Sequence, residues 1–295
     1  MPILFYYLYA ASAVAIALGY MLFDVFNRRE VPNLFVYPTL AFAFAVILLS
    51  GNQHLIIQSY LVAFAILGLG YFIYKIGQLG LGDVFELAAL SLLLAPISIP
   101  LISSGAPGLA LPSVISLFLD TGIAAIVVVP LFYVAVVVRK MGRSFTRTIR
   151  RQDVFKALVV VAAYLLFGAL LYRISYARIL LFVLIFFVVL GSALLLVFQR
   201  AITESMVDHV GVSGFTEDDI IAFNLMSAKQ IRSAKRRVES FDRLVTKQMM
   251  AEMKKKKVKD TFPVYKRAIP FAVPIFFGAL ITIIAGNLLL LAIVG

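Results

Sequence analysis

The chain has 295 residues, of which 62% are hydrophobic, with a mean hydropathy of +1.01 and a formal charge of +12. Soluble domains average about 45–50% apolar residues, so this composition belongs to an integral membrane protein. Cysteine is absent, and His54 and His209 are the only histidines. That excludes disulfides, thiolate metal sites, a cysteine nucleophile and a histidine-rich zinc site, and the expectation is no metal and no cofactor.

The apolar runs are long and unbroken. Barrel strands would alternate over about 10 residues, so these runs predict helices. The fold class is read as all-α: a polytopic helical membrane protein of about eight transmembrane helices, with a small helical cytoplasmic insert. In chain order the spans fall at 3–23, 34–50, 55–74, 84–102, 114–138, 154–172, 179–199 and 268–294. Each approaches the ~20 residues that cross ~30 Å of hydrocarbon. The first run lacks the basic region and the cleavage site of a secretory signal, so it is read as a retained helix. Pro96 and Pro100 should end or kink the fourth span, and Pro130 should kink the fifth.

This division gives a membrane bundle over 1–199, a polar insert over 200–265 and a final transmembrane helix within 266–295. In the insert, "GFTEDDI" reads as a helix start, with Thr216 capping and acids in the first turn. Ile220, Phe223, Ile231, Ala234, Val238, Phe241 and Val245 follow mostly at spacings of three or four, which predicts one or two amphipathic helices. The lysine run 254–257 is read as a contact with anionic lipid headgroups. A lysine count alone does not make a nucleic-acid interface, and none is expected.

Lys and Arg alternate between loops. The loop after the first span holds Arg28 and Arg29, whereas "GNQH" (51–54) holds neither type. Lys75 precedes the fourth span, and "SSGAPGLALPS" (103–113) is again free of both. Basic residues then cluster after the fifth span and through the insert. The positive-inside rule therefore puts both termini outside, with all basic residues except Arg173 and Arg178 on the cytoplasmic side.

Acids are scarce in the first half. Asp24 closes the first span, and Asp83 of "GLGDVFE" (80–86) opens the fourth on the same side. Topology sets them at a similar depth, while Asp120 falls towards the outer face and does not join them. Two neighbouring carboxyl groups titrate in two steps, so one is protonated while the other is ionised. An aspartyl protease uses that state: the carboxylate takes a proton from water, and the acid hydrogen-bonds the scissile carbonyl. Gly80 and Gly82 would let the backbone turn sharply and let a substrate strand approach. The same residues support a purely structural reading, with Asp83 as the N-cap and Glu86 completing a capping box.

"FDVFNRREVPN" (23–33) resembles the first signature of the type IV prepilin peptidases: an Asp ending the first membrane helix, a basic loop, then Val-Pro-Asn at Val31, Pro32 and Asn33. "GLGD" (80–83) resembles their GxGD motif. "GFTEDDI" together with "AIPFAVPIFFGALITIIAGNLLLL" (268–291) is similar to the C-terminal part of archaeal members. The resemblance covers about 1–100 and 211–291. It implies a membrane aspartyl endopeptidase with Asp24 and Asp83 as the catalytic pair and with Gly80, Gly82, Pro32 and Asn33 as motif support. Its substrates would be archaellin or type IV pilin-like precursors, each with a short basic leader before a hydrophobic helix. Glu30 and Glu86 are the candidates to attract that leader. Phe85 stands where the family usually has lysine, and Asp24 to Pro32 is one residue longer than usual. Some bacterial members carry a four-cysteine zinc insert and methylate the new N-terminus; a chain without cysteine is expected to cleave without methylating. Presenilin-type proteases share GxGD, but the helix before it here ends "YFIYKIGQ", with no acid. The alternative from another class is a non-enzymatic membrane protein such as a proton-linked transporter, although its acids would sit near the midplane. The oligomeric state is not legible in this sequence.

Overall fold

The computed structural model describes residues 3–27, 31–76, 79–97, 112–142, 149–174, 179–217, 219–256, 258, 260–265 and 271–293. The architecture is an all-α polytopic membrane protein. Its first helices are α1 (Ile3–Phe26), α2 (Asn33–Val46, continued by a 3-10 turn to Ser50), α3 (Gln53–Lys75) and α4 (Leu81–Leu94). Then follow α5 (Ser113–Met141), α6 (Arg151–Ile174) and α7 (Ile179–Met206). Among the described residues, six helices are long and apolar enough to cross a membrane: α1, α2 with its turn, α3, α5, α6 and α7. The helix α4 is shorter than the predicted 84–102 span, because it stops at Leu94, just before Pro96. Pro100 lies outside the described residues.

The last predicted span is divided. Helix α10 (Ala272–Ala285) ends at Gly286, whose φ of +74° suits a residue without a Cβ, and α11 (Leu288–Ile293) follows. Pro130, by contrast, lies inside a continuous α5.

Helix α4 is the hub. It packs against α1, α2, α3, α5 and α10, and Val84, Glu86 and every residue from Leu87 to Leu94 are buried. A helix that is apolar all round belongs in the middle of a bundle. The core around it combines Tyr9, Ala13, Ala17 and Tyr20 of α1 with Leu90, Leu92, Leu93 and Leu94 of α4 and with Ile275 and Ala279 of α10. Small residues let the backbones close in, since lipid offers no hydrophobic drive between helices. Gly70 of α3 receives the Val84 side chain, and Gly278 of α10 lies against the Thr121 backbone of α5. Two phenols find acceptors on α2: buried Tyr9 donates from Oη to the Val46 carbonyl at 3.0 Å, and half-buried Tyr60 to that of Phe44 at 2.8 Å. Helix α6 packs on α7, and Phe155, Leu158, Leu165, Leu166 and Phe167 remain exposed on it, as suits a lipid-facing helix.

The insert differs from the helical expectation. It contains β1 (Val207–Val210), β2 (Ile220–Ile221), α8 (Ala228–Arg237), α9 (Lys247–Lys255) and β3 (Phe262–Tyr265). The strands form an antiparallel sheet in the order β1-β3-β2, with Asp208 opposite Val264 and Ile221 also opposite Val264. "GFTEDDI" does not begin a helix. Asp219 Oδ2 accepts from the Thr216 N–H at 2.8 Å, closing a turn that delivers Ile220 and Ile221 into β2. Local hydrogen bonding by Asp competes with helix formation, and here the turn wins. Of the predicted apolar residues, Ala234, Val238, Phe241 and Val245 enter one core with Met249, Met253, Phe262 and Val264, and Phe223 packs against it; Ile220 and Ile231 are not part of that core. The predicted helical spacing holds only across α8.

Candidate active site

Asp24 sits in the last turn of α1 and is 8% exposed. Its Oδ2 accepts the Ala272 backbone N–H at 3.2 Å. That N–H belongs to the first turn of α10, where a helix leaves its N–H groups unsatisfied and its positive dipole end faces an anion. Asp83 is the third residue of α4, and its Oδ2 accepts the Gly80 N–H at 3.2 Å. Because α1 packs on α4, the two carboxyl groups lie within electrostatic range of each other.

The capping expectation is thereby revised. Helix α4 starts at Leu81 with Gly80 as its N-cap, so Asp83, not Glu86, is the acid that reaches back to the cap N–H. Glycine has no side chain with which to return the bond. Gly80 has a φ of −71° and makes no left-handed turn. A Cβ there would meet Asp83 Oδ2 at 2.9 Å, so the residue leaves room for the carboxylate. At Gly82 a Cβ would make only ordinary contact with Val31.

Pro32 is the N-cap of α2, and Asn33, exposed, is its first residue. The Pro32 carbonyl accepts from the N–H groups of Phe35 and Val36, which fixes the chain's re-entry after the loop. Phe85 packs edge-on against Tyr37 of α2, with ring centroids 5.7 Å apart, so this position serves the α2–α4 contact. Glu30 lies outside the described residues.

Glu86 is not an exposed helix-end acid open to a substrate leader. It is fully buried, one turn further along α4 than Asp83, and feels the charges of both Asp83 and Asp24. Asp120 is also fully buried, but it serves elsewhere. Its Oδ2 accepts from Thr282 Oγ1 at 2.9 Å and its Oδ1 from the Leu288 N–H at 3.0 Å, tying α5 to α10 and α11. Among the described residues no group of three or more His, Cys, Asp or Glu could hold a metal ion.

Two neighbours of these acids escaped sequence reasoning. Tyr20 is fully buried one turn before Asp24; its hydroxyl shares a hydrogen bond with Thr39 Oγ1 at 3.3 Å, and it senses the charges of Glu86 and Asp83. The first turn of α10 reaches Asp24 from the far end of the chain. Its Pro-Phe-x-x-Pro opening, Pro270 to Pro274, is visible in sequence, but nothing local reveals that it returns to α1.

Residues 11–129 match the family model of the type IV leader peptidases. No curated protein and no solved structure matches the chain. The matched region holds Asp24, Asp83 and Glu86, whereas α10 lies beyond it.

Proposed function

We propose that the protein is a membrane aspartyl endopeptidase with Asp24 and Asp83 as its catalytic pair, a reading supported by the match of residues 11–129 to the family model of the type IV leader peptidases. The observation that carries this reading is that α1–α4 packing sets these two carboxyl groups, from distant parts of the chain, within electrostatic range of each other. One carboxylate takes a proton from water, and the water oxygen attacks the scissile carbonyl. The other carboxyl, protonated, donates a hydrogen bond to that carbonyl and stabilises the developing oxyanion. The N–H groups of Ala272 and Gly80 each donate to one oxygen of an aspartate and help to fix its orientation.

The substrates are precursors of archaellins or type IV pilin-like proteins, and the basic leader is cut off at the cytoplasmic membrane face without methylation of the product. The loop charges support this orientation, with both termini outside. On this reading 1–199 carries the aspartates, 200–265 is a cytoplasmic domain and 266–295 returns to the membrane to complete the site. Lys254 and Lys255, in the last turn of α9, meet anionic lipid, while Lys256 is held by Glu252 at 2.8 Å.

The test is incubation of the purified protein with a prepilin-like precursor and mass determination of the products. Wild type should release the leader. Asp24→Asn and Asp83→Asn should each lower the rate by about 10³-fold or more, since every step needs both groups, while still inserting and staying folded. Near-wild-type cleavage by either variant would remove that residue from the pair. Iodoacetamide and chelators should leave the rate unchanged; a loss with EDTA that zinc restores would sink the mechanism.

A further inference from the structure

Glu86 is a buried acid that a two-aspartate mechanism does not use. It is 0% exposed, and among the described residues neither carboxyl oxygen has a hydrogen-bond partner. No ion pair among the described residues reaches it. A buried carboxyl with no partner is costly, so a helix hub that could hold leucine at this position holds glutamate at a penalty. Structural capping does not explain it, because Asp83 already serves the α4 start.

Its surroundings restrict what it can exchange protons with. Helix α1 presents Asp24 and Tyr20, and α4 itself presents Asp83; all three interact electrostatically with one another or with Glu86. Helix α2 offers Tyr37, which packs on Phe85. On α3, His54 lies at the start, Tyr60 is bonded to the Phe44 carbonyl, and the Lys75 ammonium sits over the rings of Tyr71 and Tyr74 at the far end. Helix α10 has no titratable side chain, and Asp120 of α5 is bonded to Thr282 and Leu288. The acids that face Glu86 are therefore the two aspartates.

We infer that Glu86 is a third member of the proton-holding set, so that the aspartate pair works as part of a coupled group of three carboxyls. Glu86 touches no substrate and is a positioning residue: it acts through the charge it imposes on Asp83 and Asp24. Three coupled acids lose their protons in macroscopic steps that belong to the set and not to any one residue. The pH range over which the pair keeps its single proton then depends on Glu86. For the reaction this rests on the peptidase reading; the coupling itself rests on the burial of Glu86, its place one turn from Asp83 on α4 and the packing of α1, which carries Asp24, against that helix.

Infrared spectroscopy of the full-length protein in lipid vesicles tests the coupling without any substrate. The carboxylic-acid carbonyl band is followed against pH in wild type, Glu86→Gln and Asp83→Asn. Glu86→Gln should remove one titrating component, and Asp83→Asn should displace the midpoint of that same component by about half a pH unit or more, at least about 0.7 kcal/mol of interaction. In cleavage assays Glu86→Gln should move the alkaline limb of kcat/KM to lower pH by a similar amount with KM unchanged, and Glu86→Asp should keep the wild-type limb. A midpoint indifferent to Asp83→Asn overturns the inference, as does a pH profile unmoved by Glu86→Gln. If Glu86→Gln fails to fold, the wild-type and Asp83→Asn spectra decide alone. A coupled band in a protein that cleaves no precursor would defeat the peptidase reading and leave this inference standing.

Discussion

A methyl group at Gly80 would lie 2.9 Å from Asp83 Oδ2, closer than real Cβ contacts allow. Gly80→Ala should therefore push the carboxylate off its N–H and lower kcat by about tenfold or more, because ångström-scale misplacement is felt strongly in catalysis. Gly82→Ala, which meets Val31 at an ordinary 3.6 Å, should stay within about twofold of wild type, a loss too small to mark displaced geometry. Equal rates for the two variants, measured on the same precursor, would show that Gly80 is not making room for Asp83. Asp120 presents the opposite case. Sequence places it away from the pair, which suggests a silent substitution, yet both its oxygens accept buried hydrogen bonds. Asparagine keeps only one acceptor oxygen, so Asp120→Asn should cost about 1–3 kcal/mol of stability. Thermal unfolding in detergent measures it, and an unchanged midpoint would show the two bonds to be dispensable.

Between elements, the contact of α10 with α5 depends on Gly278. A Cβ there would come within 2.6 Å of the Thr121 backbone nitrogen and Cα, neither of which can rotate away. Gly278→Ala should force the helices apart at a cost of about 1–3 kcal/mol. Because α10 also brings the Ala272 N–H to Asp24, activity should fall with stability. Full activity in a destabilised Gly278→Ala protein would separate the two. In the insert, α9 is fastened by Glu252. Lys256, the Ser240 hydroxyl and the N–H groups of Glu239 and Ser240 hold its carboxyl down from its ordinary 4.5 to about 2. A carboxyl lowered on folding stabilises the fold above its ordinary value, and that contribution is lost as pH falls through the folded value. The contribution should thus be whole above about pH 4.5 and disappear towards pH 2. Pepsin cleavage of the insert should speed up in wild type relative to Glu252→Gln as pH drops across this window. A constant ratio would contradict the linkage.

At the scale of the molecule, orientation follows from charge and not from packing. The chain lacks cysteine, so single cysteines can be introduced on a clean background. Gln53→Cys, exposed at the start of α3, should react with an impermeant maleimide added outside intact cells. Lys229→Cys, exposed on α8, should react only after the membrane is opened. Labelling of both from the same side would show that the loops do not alternate as their charges indicate.

By itself the sequence determined the membrane class and most helix limits, and it marked Asp24 and Asp83 as acids at the ends of apolar runs. Apolar runs longer than a bilayer is thick are a local property, and an acid beside such a run stands out wherever the chain later goes. It also marked the apolar residues of the insert, but not their form, because Asp219 turns the chain where a helix start was expected and strand pairing joins Val207 to Tyr265 across the whole insert. Tertiary structure alone decided the rest. The spacing of Glu86 from Asp83 suits a surface cap as well as a buried acid, and only the helices packed around α4 make it buried. Asp24 and Ala272 are neighbours because α1 and α10 pack together, a contact that no local pattern encodes.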